Sequence, residues 1–244
     1  GIVVLCYHRV GSGTGCEVDL SPEVFDDHLA MIADSGRACS LGEGLERLGG
    51  TGPADGVVVT FDDGTADFTE RVVPALVAHR VPATLYLATA FVDGPQAAAG
   101  AGRPISWATL ADACTTGLVD VGSHTHGHLL LDRTEPGEAA ADLDRSIALI
   151  GDRLGRPAAD FAYPKAVAPS RANDAAVRAR FRSAALAGTR ANPVGDTDPY
   201  RLARSPVQGS DGMRYFERKL AGGMALEDDL RRIVDRVRYA GART

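Results

Sequence analysis

The chain has 244 residues, 45% hydrophobic and 24% charged, a balance ordinary for a globular protein that excludes wholesale disorder, a fibrous chain and a polytopic membrane protein. Its 26 basic and 32 acidic residues leave a net charge of -6, without the basic face that a nucleic-acid-binding domain carries, and no apolar run approaches the ~20 residues of a membrane span. Cys6, Cys16, Cys39 and Cys114 are too scattered for a disulfide scaffold and form no CxxC pair; such thiols fit a reducing compartment better than an oxidising one, so a cytoplasmic location is the expectation.

Ile2 to Tyr7 is a continuous apolar run, the pattern of a strand buried on both faces. Ser21 then offers an N-cap, Pro22 the first helical position, and Phe25, Leu29 and Ile32 an apolar stripe that ends at Gly36. Val57 to Phe61 predicts a second strand, residues 66–80 a helix, and Ala83 to Ala88 a third strand. The stretch from Gly94 to Gly102 reads as a surface insertion. A helix from Trp107 to Thr116 precedes a strand from Leu118 to Val121, and a helix over 135–155 precedes a short strand from Phe161 to Tyr163. Asn173 to Arg182 reads as helix, Ser183 to Leu186 and Leu202 to Val207 as strands, and 213–220 and 226–239 as closing helices. Repeated strand–helix–strand order predicts right-handed crossovers and a mostly parallel sheet. The length suits one (β/α) barrel, so a single domain over residues 1–244 is expected.

In such a barrel, chemistry gathers at the C-terminal ends of the strands. Polar residues do follow the β runs here: Tyr7-His8, Asp62-Asp63, His124 to His128, and Tyr163-Pro164-Lys165. Adjacent Asp62 and Asp63 at a buried strand end repel each other, and a metal ion relieves that repulsion. In isolation, Asp-Gly is ordinary turn chemistry. Three of the chain's six histidines lie within residues 124–128, and short histidine-rich tracts of this kind bind metal. Two histidines and one carboxylate leave a position open for water, the pattern of a catalytic zinc site, and also suit other divalent ions.

Thr60-Phe61-Asp62-Asp63-Gly64, followed by His124-Thr125-His126-Gly127-His128, resembles the polysaccharide deacetylases, the NodB-homology or carbohydrate esterase family four. The resemblance runs from Tyr7 to about Phe216. It implies a distorted (β/α) barrel of about seven parallel strands that removes N-acetyl groups from amino sugars. By the same resemblance, Asp62 is the catalytic base, and Asp63, His124 and His128 hold one divalent ion, zinc first, with cobalt or nickel as alternatives. Thr125 braces the histidine loop, and His126 is supporting or solvent-facing. Phe161-Ala162-Tyr163-Pro164 matches the third motif, which puts Tyr163 and Lys165 at the substrate, with the Lys165 backbone N–H aimed at the oxyanion.

Two family features are absent: the arginine that opens the third motif, and a histidine near the C-terminus, since none follows His128. Leu5-Cys6-Tyr7-His8 resembles the opening of a circularly permuted subgroup acting on bacterial exopolysaccharide, in which a first-strand histidine is the general acid. His8 matches it, with His126 as the alternative. Leu202-Ala203-Arg204-Ser205-Pro206-Val207 resembles the segment of that subgroup whose arginine orients the base, which points to Arg204, with Arg201 as the alternative. The expected partner is an N-acetylated glycan or amino sugar, with no nucleic acid and no membrane span; the oligomeric state stays open. Two other readings stay open as well: an amidohydrolase of a small non-sugar amide, and an inactive glycan-binding barrel. Gly11 to Gly15 lacks a full GxGxxG and reads as a mobile loop, Trp107 reads as a packing residue, and the arginines of 226–239 read as a solvated helix face.

Overall fold

The computed structural model describes residues 1–94 and 102–223. Seven strands close into a barrel: β1 (Ile2–Tyr7), β4 (Gly56–Asp63), β5 (Ala83–Leu87), β6 (Val119–Ser123), β7 (Asp160–Ala162), β8 (Ser183–Ala187) and β9 (Leu202–Pro206). Every pairing is parallel, and β9 returns to β1 through Val4↔Arg204 and Leu5↔Ser205. The expected barrel of about seven parallel strands is therefore the observed architecture. Two short strands, β2 (Arg9–Val10) and β3 (Asp19–Leu20), form a separate parallel pair beside the mouth.

Strand alternation sorts the apolar side chains into two shells. Val3, Leu5 and Tyr7 of β1, with Val57, Val59 and Phe61 of β4, face outward onto Phe25, Leu29 and Ile32 of α1 (Pro22–Asp34). Ile2, Val4, Val58, Tyr86, Ala162, Ala185 and Leu202 face inward. Helix α2 (Leu41–Leu48) contributes Leu41 and Leu48 to this inner cluster. It approaches so closely that a Cβ at Gly44 would lie 2.9 Å from the Val58 side chain.

The helix expected over 66–80 is instead a π-helical turn, Phe68–Val72, running into α3 (Val73–His79). Pro74 explains this: it has no N–H, and its ring excludes the carbonyl four residues back. Val73 accordingly donates to Phe68, five residues back. The remaining helices are α4 (Trp107–Cys114), α5 (Pro136–Leu154), α6 (Arg171–Arg178) and α7 (Met213–Leu220). Trp107 packs on the outer core. The stretch around Gly11 to Gly15, read as mobile, is tied down: the Asp19 carboxylate accepts from the backbone N–H and hydroxyl of both Ser12 and Thr14. The helix expected at 226–239 lies outside the described residues. Among the described residues, no helix is long and apolar enough to cross a membrane.

Candidate active site

The inward face of the barrel changes character toward the C-terminal strand ends. On β4 it passes from Val58 to Thr60 to Asp62, and on β1 from Val4 to Cys6 to the position of His8. A cavity of about 360 Å³ opens there, within the range of small-molecule sites. Its wall includes His8, Asp62, Asp63, His124, His128, Lys165 and Arg204. The strand ends thus bring all the sequence-predicted site residues together except Tyr163. That side chain turns outward: its ring packs on Phe161 at 5.0 Å, and its hydroxyl donates to Asp174 of α6 at 3.1 Å. Side-chain alternation along β7 sends the Tyr163 ring into the helix layer, so it is a packing residue and not part of the substrate wall.

Asp62 is buried, and Arg204 grips it in a fork, Nη1 to Oδ1 at 2.6 Å and Nη2 to Oδ2 at 2.9 Å. Nη1 also donates to the Thr60 hydroxyl at 3.2 Å, and the Tyr86 ring stands 5.1 Å from the guanidinium. Burial alone would raise the Asp62 pKa. The Arg204 guanidinium reverses this and holds the carboxyl well below the usual range, so Asp62 is an anion throughout neutral pH.

Asp63, His124 and His128 form the second layer of the site. Asp63 Oδ1 is 3.4 Å from His128 Nε2 and 3.8 Å from His124 Nε2. Nitrogen and oxygen ligands of one tetrahedral zinc stand about 3.3–3.5 Å apart, given metal–ligand bonds of about 2.0–2.2 Å. The three donors therefore fit a divalent ion. The ring of His124 is oriented for that purpose: Nδ1 donates to the Ala162 carbonyl at 2.8 Å, which leaves the Nε2 lone pair facing Asp63. Burial lowers the His124 pKa despite the nearby carboxylates, so the ring is neutral and able to ligate.

The backbone bends to deliver these groups. Among the described residues seven non-glycine residues have positive φ, and five are Asp63, Thr125, His128, Lys165 and Ala166. Each such conformation costs on the order of 1–3 kcal/mol and persists only where its surroundings impose it. Gly64, at φ 97°, lets the chain turn directly after the carboxylates; a Cβ there would run into the Leu87 side chain. The histidine loop is pinned by Asp142 of α5, which accepts from the His126 and Gly127 N–H groups at 2.7 and 2.8 Å. The Thr125 hydroxyl accepts from the Leu129 N–H at 3.0 Å. Asp142 was not predicted, because an acid on an amphipathic helix carries no sign distinguishing it from a solvated one. His126 is outside the cavity wall, with Nδ1 2.9 Å from the Thr89 hydroxyl.

His8 lies just past the end of β1, in the wall of the same cavity. Its Nδ1 is buried without a hydrogen-bond partner. The turn after β7 places Lys165 at the rim, its side chain exposed. In that turn the Ala166 and Val167 N–H groups are committed to the Tyr163 and Pro164 carbonyls.

A family model described as polysaccharide deacetylase matches residues 49–184. No curated protein sequence matches the chain. Among solved structures, IcaB from Ammonifex degensii is similar at a TM-score of 0.78 and 24% identity, covering 92% of this chain and 97% of that one. The Streptococcus pyogenes deacetylase PplD in complex with acetate is similar at 0.76 and 18% identity, covering 90% and 97%. A de-N-acetylase from Aggregatibacter actinomycetemcomitans is similar at 0.75 and 21% identity, covering 89% and 99%. At these identities the likeness is one of fold, and it spans nearly the whole of each chain.

Proposed function

The chain belongs to the polysaccharide deacetylase family, and on that premise we propose that it is a metal-dependent hydrolase that removes N-acetyl groups from amino sugars of a glycan. One observation carries the reading: an arginine-clamped carboxylate, Asp62, stands beside a three-donor set with metal spacing, Asp63, His124 and His128, in one cavity. Asp63, His124 and His128 would hold the ion. A divalent cation there supplies Lewis acidity, polarising a carbonyl and making water acidic near pH 7.

The protein's own residues supply the rest. Asp62, kept ionised by Arg204, accepts the proton of the attacking water. Arg204 acts through Asp62 as a positioning residue, taking the place of the missing third-motif arginine. The Lys165 N–H is the donor of its turn left over for the oxyanion, where one such bond is worth on the order of 10²–10³ in rate. His8, in the wall of the same cavity, protonates the departing amine, which is a poor leaving group without that proton. His8 and Arg204 thus occupy both of the roles whose usual residues are absent, which favours an enzyme over an inert glycan-binding barrel.

The test is acetate release from N-acetylglucosamine oligomers, a small glycan panel and simple amides. It is run on protein as purified, after chelation, and after return of zinc, cobalt or nickel. Release from glycans, lost on chelation and restored by metal, is the expected result. Turnover indifferent to complete metal removal, or confined to simple amides, overturns the reading.

A further inference from the structure

Cys6 has no part in the proposed reaction, yet it lies in the wall of the same cavity. It sits two residues before His8 on β1, and alternation puts both on the inward face. Its Sγ is 3.6 Å from Asp62 Oδ2. The ligand atoms of Cys6, His8 and Asp62 all lie within 4.8 Å of one another, in a group that shares no residue with Asp63, His124 and His128.

We propose that Cys6, His8 and Asp62 form a second cation site, selective for thiophilic ions, whose occupancy blocks the enzyme. The geometry is that of a ligand set: sulfur and oxygen on one tetrahedral ion, with bonds of about 2.3 and 2.0–2.2 Å, stand about 3.5–3.7 Å apart. His8 Nδ1 is a buried nitrogen without a partner, and an ion held through that nitrogen would satisfy it. Arg204 occupies one lone pair on each Asp62 oxygen. A carboxylate has about four such positions, so Asp62 retains capacity for an ion. The sulfur sets the selectivity. Thiolate suits soft and borderline ions, whereas magnesium and calcium require oxygen ligands. The Cys6 thiol is buried beside Asp62, so binding proceeds by displacement: the ion takes the thiolate and one proton passes to water. The nearby guanidinium disfavours any ion that gains little from sulfur.

Binding stands on these three side chains alone. Inhibition additionally rests on the roles proposed above for Asp62 and His8, since one ion would occupy both the base and the acid. The experiment therefore reads binding and activity separately. Zinc-loaded protein is titrated with cadmium, following equilibrium dialysis, the thiolate-to-cadmium charge-transfer absorption in the ultraviolet, and acetate release. We expect one further cation per chain, with the absorption band and loss of activity at the same equivalence. Cys6→Ser should abolish the band and weaken binding at least 10–100-fold, the loss that even an outer partner of a metal site causes. Cys16→Ser, at the half-exposed cysteine outside the cavity, should retain both. His8→Gln leaves the thiol in place and should weaken binding to a similar degree, which keeps the test valid if Cys6→Ser fails to fold. A band that persists in Cys6→Ser, affinity unchanged in His8→Gln, or no second cation overturns the site. Binding as expected with activity unaffected leaves the site standing and overturns the assigned roles of Asp62 and His8.

Discussion

Arginine meets aspartate at two contrasting places on this barrel. At the mouth Arg204 grips Asp62, with side-chain exposures of 2% and 6%. On the outer flank Arg178 of α6 bridges Asp174 and Asp198, with exposures of 37%, 18% and 40%. Both arginines make two close carboxylate contacts, and both have their pKa raised, Arg178 by its hydrogen bonds and Arg204 by Asp62 against burial. The difference is water. On the flank each group keeps its hydration when its partner leaves, so the pair is worth little. At the mouth neither can, so removing one partner strands the other. The buried pair is costly to build, and what it secures is an anion held in one place and one orientation beside the metal ligands.

Arg204→Met makes the strongest attack on that contrast. It leaves Asp62 as a buried, unpaired carboxylate, so stability should fall by about 3–5 kcal/mol and activity should collapse. Denaturant unfolding checks the first, and Asp62→Asn added to Arg204→Met should recover part of the loss. If Arg204→Met unfolds at the parental midpoint, water reaches the pair and the contrast fails.

Asp62→Asn alone keeps the side-chain volume but removes the charge and one acceptor of the fork, so it strands the Arg204 cation and should also cost stability. The protein should retain its metal, held by Asp63, His124 and His128, and lose activity by on the order of 10²–10⁴-fold. Metal analysis alongside kcat separates the two carboxylates. An ion lost together with activity would mean that Asp62 ligates as well.

A third buried titratable group sharpens the comparison because it has no ionic clamp. His28 on α1 is fully buried, stacked on Phe216 of α7 at 3.6 Å, with Nδ1 3.3 Å from the Tyr7 hydroxyl and Nε2 unpartnered. Burial lowers its pKa from 6.5 to about 4, against a weaker opposing pull from Asp211. A histidine depressed on folding contributes stability that is complete above the unfolded value and is lost as pH falls through the folded one. From pH 6.5 down to about 4 the protein should therefore lose about 3 kcal/mol at this ring. Denaturation midpoints for His28→Leu should be flatter over that interval. An unchanged slope would show that the ring reaches water or a partner on protonation.

His8→Ala should preserve fold and metal and lower kcat by about 10²-fold, with a changed alkaline limb of the pH–rate profile. A loss on His126→Ala instead would move the acid role to a ring that, in this structure, contacts Thr89 outside the cavity.

These contrasts were unequally visible in the sequence. The barrel was legible because β1, β4 and β5 are short apolar runs that alternate with helical patterns, and the metal set because its residues crowd two short segments at strand ends. Arg204 and His8 are far from those segments in sequence; the family likeness drew attention to them, and barrel closure brings β9 and β1 together beside β4. Helix α2 is hidden in the sequence because Gly42 and Gly44 weaken its helical pattern, although Ser40 and Glu43 form a capping box at its first turn. Tyr163 was misplaced because its position in a motif says nothing of which way a side chain leaves a strand. The pairing of Cys6 with Asp62 was within reach of alternation, since Cys6 and His8 share a face, but the register that sets Cys6 opposite Thr60 exists only in the folded sheet.

The smallest expected effect tests the other half of the comparison. Arg178→Ala removes contacts to Asp174 at 2.9 Å and to Asp198 at 2.5 Å, and loses the guanidinium packed 4.6 Å from the Tyr200 ring. Read as a list of interactions, that should be severe. Solvent argues otherwise: each freed carboxylate takes up water, and Arg201 still pairs with Asp174 at 2.9 Å. Exposed pairs measured singly contribute about 0.2–1 kcal/mol, and salt screens them further. Stability should therefore fall by no more than about 1 kcal/mol, less at high ionic strength, with kcat unchanged because α6 contributes nothing to the cavity wall. A loss comparable to that of Arg204→Met would mean that this flank is as dry as the mouth, and burial would no longer separate the two arginines.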